Sequence, residues 1–247
     1  MQDAKREILN QVSRGELSPE DAERRLAELE QPPADAATAV ATAEPVTAVR
    51  VLRSAGTAEI VGDASVKEAV ADGPHVVRQE GGTLVIESRP NPGDGYIFGP
   101  ISIGTDLHRK LRVRMNPNLP LEVDIQAGSL RVSGLKEAIK AEVQAGSAKI
   151  DGFEKQLDVT VQAGSVHANG KLTWGVSRIS CEAGSVRVNL DPASSVTIQA
   201  RTSLGRISLP GGESRSTIGG ERLEAIVGGG DATLGIESSM GSVVVTV

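Results

Sequence analysis

Four hydroxyls sit at matching places in the chain. Ser129, Ser147, Ser165 and Ser185 each follow an Ala-Gly pair, at spacings of 18, 18 and 20 residues. A serine becomes a nucleophile only with a base in hydrogen-bond reach and a group that orients the base. The histidines are His75, His108 and His167, and none recurs with the serines. Small hydroxyls beside glycine more simply shape turns, bonding nearby backbone groups. The chain therefore reads as a non-enzyme. The run Gly228-Gly229-Gly230-Asp231 is not a dinucleotide loop, because the third glycine of that fingerprint falls at Thr233 and no helical pattern follows. No Cys/His spacing suits zinc, so neither metal nor cofactor is expected.

Charge offers a better candidate. Arg131, Lys149, His167 and Arg187 each stand two residues after a repeat serine and should project together from one face. Such a stripe could meet an acidic lipid, a teichoic-type polymer or an acidic protein. It could equally be a solvated face balanced by Glu122, Asp124, Glu142 and Asp158. A second basic cluster, Arg109, Lys110, Arg112 and Arg114, alternates with Leu111 and Val113. It reads either as an anion contact or as an edge strand whose charges block aggregation. Tyr96 and Phe98, in the irregular segment Arg89–Pro100, make a candidate partner loop.

These groups must be carried by a repeating element. Gln126-Ala-Gly-Ser-Leu130 recurs from Gln144, Gln162 and Glu182, with an earlier copy at Ala55-Gly56 and looser ones at Leu204-Gly205 and Met240-Gly241. A period of 18–20 residues is too short for a helix pair and suits one coil of short strands and tight turns. Aligning the copies yields four apolar columns: Val123, Ala141, Val159, Ile179; Ile125, Val143, Val161, Cys181; Leu130, Ala148, Val166, Val186; and Val132, Ile150, Ala168, Val188. Columns two residues apart are the interior of a β-coil. The expected fold is all-β, a single-stranded parallel β-helix (solenoid) over 48–247. Cys181 should be a buried, inert thiol.

Ahead of the solenoid, residues 1–30 read as a short α-helical hairpin, with apolar stripes at Ile8, Leu9 and Val12 and at Ala22, Leu26 and Leu29. Ser18-Pro19-Glu20-Asp21 is a helix start. Residues 31–47, rich in Pro, Ala and Thr, read as a linker. The hairpin is too small to be stable alone and wants a partner.

Composition narrows the function. The net charge is -6, against generic nucleic-acid binding. Aromatics are 2% of residues, which argues against stacking platforms for glycans or single strands. No apolar run is long enough to span a membrane and no signal-peptide pattern opens the chain, so a cytoplasmic protein is expected.

The segment from Leu111-Arg112-Val113 through Pro117–Val123 into the Ala-Gly-Ser copies, with the finish Leu209-Pro210 to Met240-Gly241-Ser242-Val243, resembles the adhesin-like "toastrack" family (domain of unknown function 4097). Residues 1–30 are similar to the SHOCT-like hairpins that precede such domains. The resemblance implies a single-stranded β-helix, a link to bacterial envelope-stress signalling and no active site. Many members carry Asp where this chain has its repeat serines.

Three functions follow as expectations. The first is a scaffold that meets a protein partner or itself, with peripheral contact to anionic envelope components. The second is a filament, since Val243-Val244-Val245-Thr246-Val247 reads as a bare terminal strand able to template pairing through Val243 and Val245. The third is a surface adhesin.

Overall fold

The computed structural model describes residues 45–88, 110–211 and 221–247. The expected hairpin with Ile8, Leu9, Val12, Leu26 and Leu29, the loop with Tyr96 and Phe98, and Arg109 lie outside the described residues.

Pro45–Val247 forms one unit. Its strands are β1 (Ala48–Gly62), β2 (Ala69–Asp72), β3 (Val76–Glu80), β4 (Thr83–Glu87), β5 (Leu111–Met115), β6 (Leu121–Ser133), β7 (Ile139–Phe153), β8 (Leu157–Gly170), β9 (Val176–Leu190), β10 (Val196–Ser208), β11 (Glu221–Val227) and β12 (Ala232–Thr246). The long strands stack in parallel, in register, as an all-β solenoid.

Each long strand has two arms and a corner. In β6, Leu121, Val123 and Ile125 point inward, the corner Gln126–Ser129 turns outward, and Leu130 and Val132 point inward again. The period-2 alternation of apolar residues therefore survives on both arms but changes phase at Ala-Gly-Ser. The four expected columns are all buried, and Cys181 among them is fully buried, with its thiol pushed up by that burial. Leu135 and Leu172 close the third side of their coils from the turns.

The corners stack glycine on glycine. A Cβ at Gly146 would sit 1.7 Å from the Gly128 carbonyl oxygen, and one at Gly164 would sit 1.6 Å from that of Gly146. Both residues also hold positive φ, 138° and 145°, a region essentially reserved for glycine.

The copies do not stack in chain order. The sequence of strands is β11-β10-β12-β9-β8-β7-β6-β1-β4-β3, so β12 lies between β9 and β10. It pairs in parallel with both, Ser242 opposite Ser185 on one edge and Arg206 on the other. The bare terminal strand expected from sequence is thus an interior strand, and Val243 and Val245 are 0% and 2% exposed. The glycine run explains how the chain gets there. β11 runs back along one edge of β10, and Gly228–Asp231 then crosses the start of β10 to its other edge. Gly228 passes so close that a Cβ would lie 2.6 Å from the Ser194 oxygen. Ser195 donates to Asp231 at 2.5 Å, and Ala232 N–H bonds the Ser195 carbonyl at 2.8 Å.

Each end of the stack carries a reversed strand. At one, β4 pairs with the first arm of β1 and β5 with its second, and β3 and β2 pair antiparallel with β4 and β5. At the other, β11 pairs antiparallel with β10. The edge strand β3 carries Arg78 and Glu80, and β11 carries Arg222 and Glu224, charges that blunt further pairing.

Toward the β11 end, the column of Ile125, Val143, Val161 and Cys181 turns polar. It continues through Ser238 and Thr202 to Glu221. All three are buried, and among the described residues the Ser238 and Thr202 hydroxyls and both Glu221 carboxyl oxygens have no hydrogen-bond partner. An unmet buried hydroxyl costs free energy that a methyl group of similar shape does not. Thr202→Val is therefore expected to stabilise the protein by about 1 kcal/mol, seen as a higher midpoint in thermal unfolding. A midpoint lowered by several degrees would show that the hydroxyl is bonded.

Candidate functional site

The outer faces of the two arms differ in charge. On the first arm, Arg50, Glu122, Lys140, Asp158 and Arg178 stand in one register column, alternating in sign. Arg50 bonds Asp124 at 3.0 Å and lies 3.7 Å from Glu122, and Lys140 donates to Glu122 at 2.9 Å. The Lys140 ammonium holds the Glu122 carboxyl below its ordinary value, and that carboxylate raises Lys140 in return. The hydrogen bond to Asp124 raises Arg50. Half-exposed pairs like these contribute ~0–1 kcal/mol each. Their consequence for function is that this face cancels its own charge.

The second arm does not. Arg131, Lys149, His167 and Arg187 are consecutive register partners on its outer face. Arg131, Lys149 and Arg187 are exposed and His167 is half-buried. Strand spacing of about 4.8 Å spreads the four over about 14 Å. Lys149 lies 3.3 Å from Asp151, while Arg131 and Arg187 make no ion pair among the described residues. The acids set against the stripe in the sequence, Glu122, Asp124, Glu142 and Asp158, are across the corner, the first three bound or adjacent to Arg50 and Lys140 and Asp158 in register between Lys140 and Arg178.

The structure also joins the two basic clusters. Arg112 is the register partner of Glu59, and Glu59 that of Arg131, so Arg112 belongs to the same column as the stripe. β5 is not an edge strand, because β1 and β2 pair with its two sides. Its cations are committed locally. Lys110 and Arg112 both bind Glu59, Arg112 at 3.1 Å, and Arg114 lies 3.5 Å from Asp63. The Lys110 ammonium is the main cause of the lowered Glu59 carboxyl. The free positive field therefore begins past Glu59, at Arg131.

Beside the stripe runs a column of small polar groups. Asn169 donates to Asp151 at 2.5 Å, Asn189 to Asn169 at 2.6 Å, and Thr246 to Asn189 at 2.5 Å. These bonds tie neighbouring coils together beside the stripe. At the corner, Ser147 donates to Ser129 at 3.3 Å.

Past the ladder, on the turn side, lies a groove of about 1010 Å³ that holds Trp174, 59% exposed. Sequence reading passed over it. Trp174 occupies a turn slot that is not part of the repeat, so no column points to it.

The sequence matches no family model and no curated protein. Among solved structures, it is similar to a putative cell adhesion protein from Clostridium sporogenes ATCC 15579, at 15% identity and a TM-score of 0.44, over 82% of this chain and 95% of that one.

Proposed function

We propose that the chain is a non-catalytic interaction module, and that the outer face of the second arm holds an extended anionic polymer of the teichoic type. The carrying observation is the register-locked column Arg131, Lys149, His167 and Arg187, in which Arg131 and Arg187 make no ion pair among the described residues while Glu122, Asp124, Glu142 and Asp158 stand on the other arm. A rigid row of like charges costs the solenoid some repulsion. A linear polyanion laid along the row relieves it at several points at once, so weak contacts add. The reversed, charged end strands support a discrete module over a filament. Envelope-stress scaffolding and surface adhesion both remain compatible with such a face. The scaffold reading places the chain in the cytoplasm and the adhesin reading places it at the surface, and cell fractionation separates them.

Titration of the full chain with poly(glycerol phosphate) tests the face. Binding is expected to saturate and to weaken steeply with added salt. Neutralising three exposed cations together, Arg131→Gln, Lys149→Gln and Arg187→Gln, removes roughly 0.5–1 kcal/mol each, or about 10–100-fold in affinity. Absence of binding by the parent chain, or equal binding by the triple variant, rules the reading out.

A further inference from the structure

We propose that the turn-side groove is a separate binding site for a neutral oligosaccharide, with Trp174 as its stacking platform. Trp174 is the sole tryptophan of the chain. A protein so poor in rings gains most by burying the ones it has, yet this one is 59% exposed.

Its position is fixed by the backbone around it. Leu172 is buried, and its N–H donates to the Ser194 hydroxyl at 3.3 Å. Ser195 N–H bonds the Leu172 carbonyl at 2.7 Å, and Thr233 N–H bonds the Gly175 carbonyl at 2.9 Å. The turn holding Trp174 is thus pinned on both sides. A turn held before the ligand arrives loses little backbone entropy on binding. Lys155, itself bound to Glu137 on the preceding turn, stands 6.0 Å from the ring centroid.

The groove's charge selects the ligand. Its lining has three lysines, Lys136, Lys155 and Lys171, and three acids, Glu137, Glu154 and Asp191. The balance leaves no net field to draw an ion, in contrast to the stripe. What remains is an exposed indole, with Lys155 over its ring at 6.0 Å, beside amides and carboxylates, with Asn169 and Asn189 lining the groove. A sugar ring has the complementary character, with an apolar face to stack and hydroxyls that both donate and accept. The scarcity of aromatics limits how many platforms exist. It does not decide whether one is presented. A single platform implies weak affinity for one chain end, raised when many copies meet a polymer.

The sole tryptophan makes the test direct. The full chain is titrated with three neutral probes, the hexamers of β-1,4-glucose, β-1,4-N-acetylglucosamine and α-1,6-mannose, while Trp174 fluorescence is followed. At least one should give a saturable change that is insensitive to salt. By calorimetry, Trp174→Ala should weaken that binding at least tenfold, Trp174→Phe should recover part of it, and Asn189→Ala should weaken it. The triple glutamine variant of the stripe should bind the neutral probe unchanged. No response to any of the three, or undiminished binding by Trp174→Ala, overturns the proposal. A response seen only with poly(glycerol phosphate) overturns it as well and leaves the stripe standing.

Discussion

Gly146→Ala is expected to destabilise the fold severely. The new methyl group would lie 1.7 Å from the Gly128 oxygen and 2.8 Å from its carbon, both backbone atoms that cannot rotate away. The residue would also have to hold φ at 138°. Relief requires the two coils to part at the corner, which breaks the in-register ladder between β6 and β7 along both arms. Loss of that order exceeds about 4 kcal/mol, a large share of the 5–15 kcal/mol that stabilises a typical domain. Gly211→Ala is the control. Its φ is 71°, but a Cβ there meets no atom of the described residues within 4 Å, so the cost is that of the left-handed backbone, ~1–2 kcal/mol. Circular dichroism melts of the two variants should differ sharply. A Gly146→Ala midpoint close to that of Gly211→Ala would mean the corners are not packed as described.

Ending the chain at Gly230 should be as damaging. If the copies stacked in chain order, this cut would trim a terminal coil and leave the rest intact. With β12 in the interior, it removes the strand that separates β9 from β10. Ala232, Leu234, Ile236, Val243 and Val245 leave the core together. At ~1.5–3 kcal/mol for each of the larger side chains, their loss approaches the whole stability of the unit. The truncated chain is expected to be insoluble or to melt without cooperativity. A cooperative melt within a few degrees of the parent would argue against an interior β12. Strand order can also be read without truncation. Replacing Cys181 with alanine and introducing cysteines at Ser185 and Ser242, which are register partners, should give a disulfide on mild oxidation. Cysteines at Ser185 and Arg206 should not, because β12 stands between them. The reverse result would restore the chain-order stack.

The two arms explain why a basic stripe persists on an acidic protein. Net charge is a sum over the molecule, whereas a solenoid sorts charge into columns. Glu122, Lys140, Asp158 and Arg178 fall in one column and cancel, and Arg131, Lys149, His167 and Arg187 fall in another and do not. A substitution that moves a charge by one residue changes the column and the face, so position in the repeat matters more than total charge.

Much of this was readable from residues alone. The Ala-Gly-Ser spacing and the period-2 apolar alternation specify a β-coil locally, because the interior of each coil depends on its own two arms and its immediate neighbours. The four core columns, the buried Cys181 and the shared column of Arg131, Lys149, His167 and Arg187 follow from aligning one copy on the next. What the residues could not decide is which copy neighbours which. The copies at Gly205 and Gly241 present the same corner and similar inward aliphatics, so each would fit either place. The order is decided by β11 turning back along β10 and by Gly228–Asp231 crossing it, contacts between segments far apart along the chain. The same holds for the groove. Trp174 lies outside the repeat, and only the stacking of several turns gives it walls. Glu122, Asp124, Glu142 and Asp158 were visible in sequence, but that they stand on the other arm from the stripe depends on the corner glycine, where backbone conformation rather than residue type sets which side each group meets.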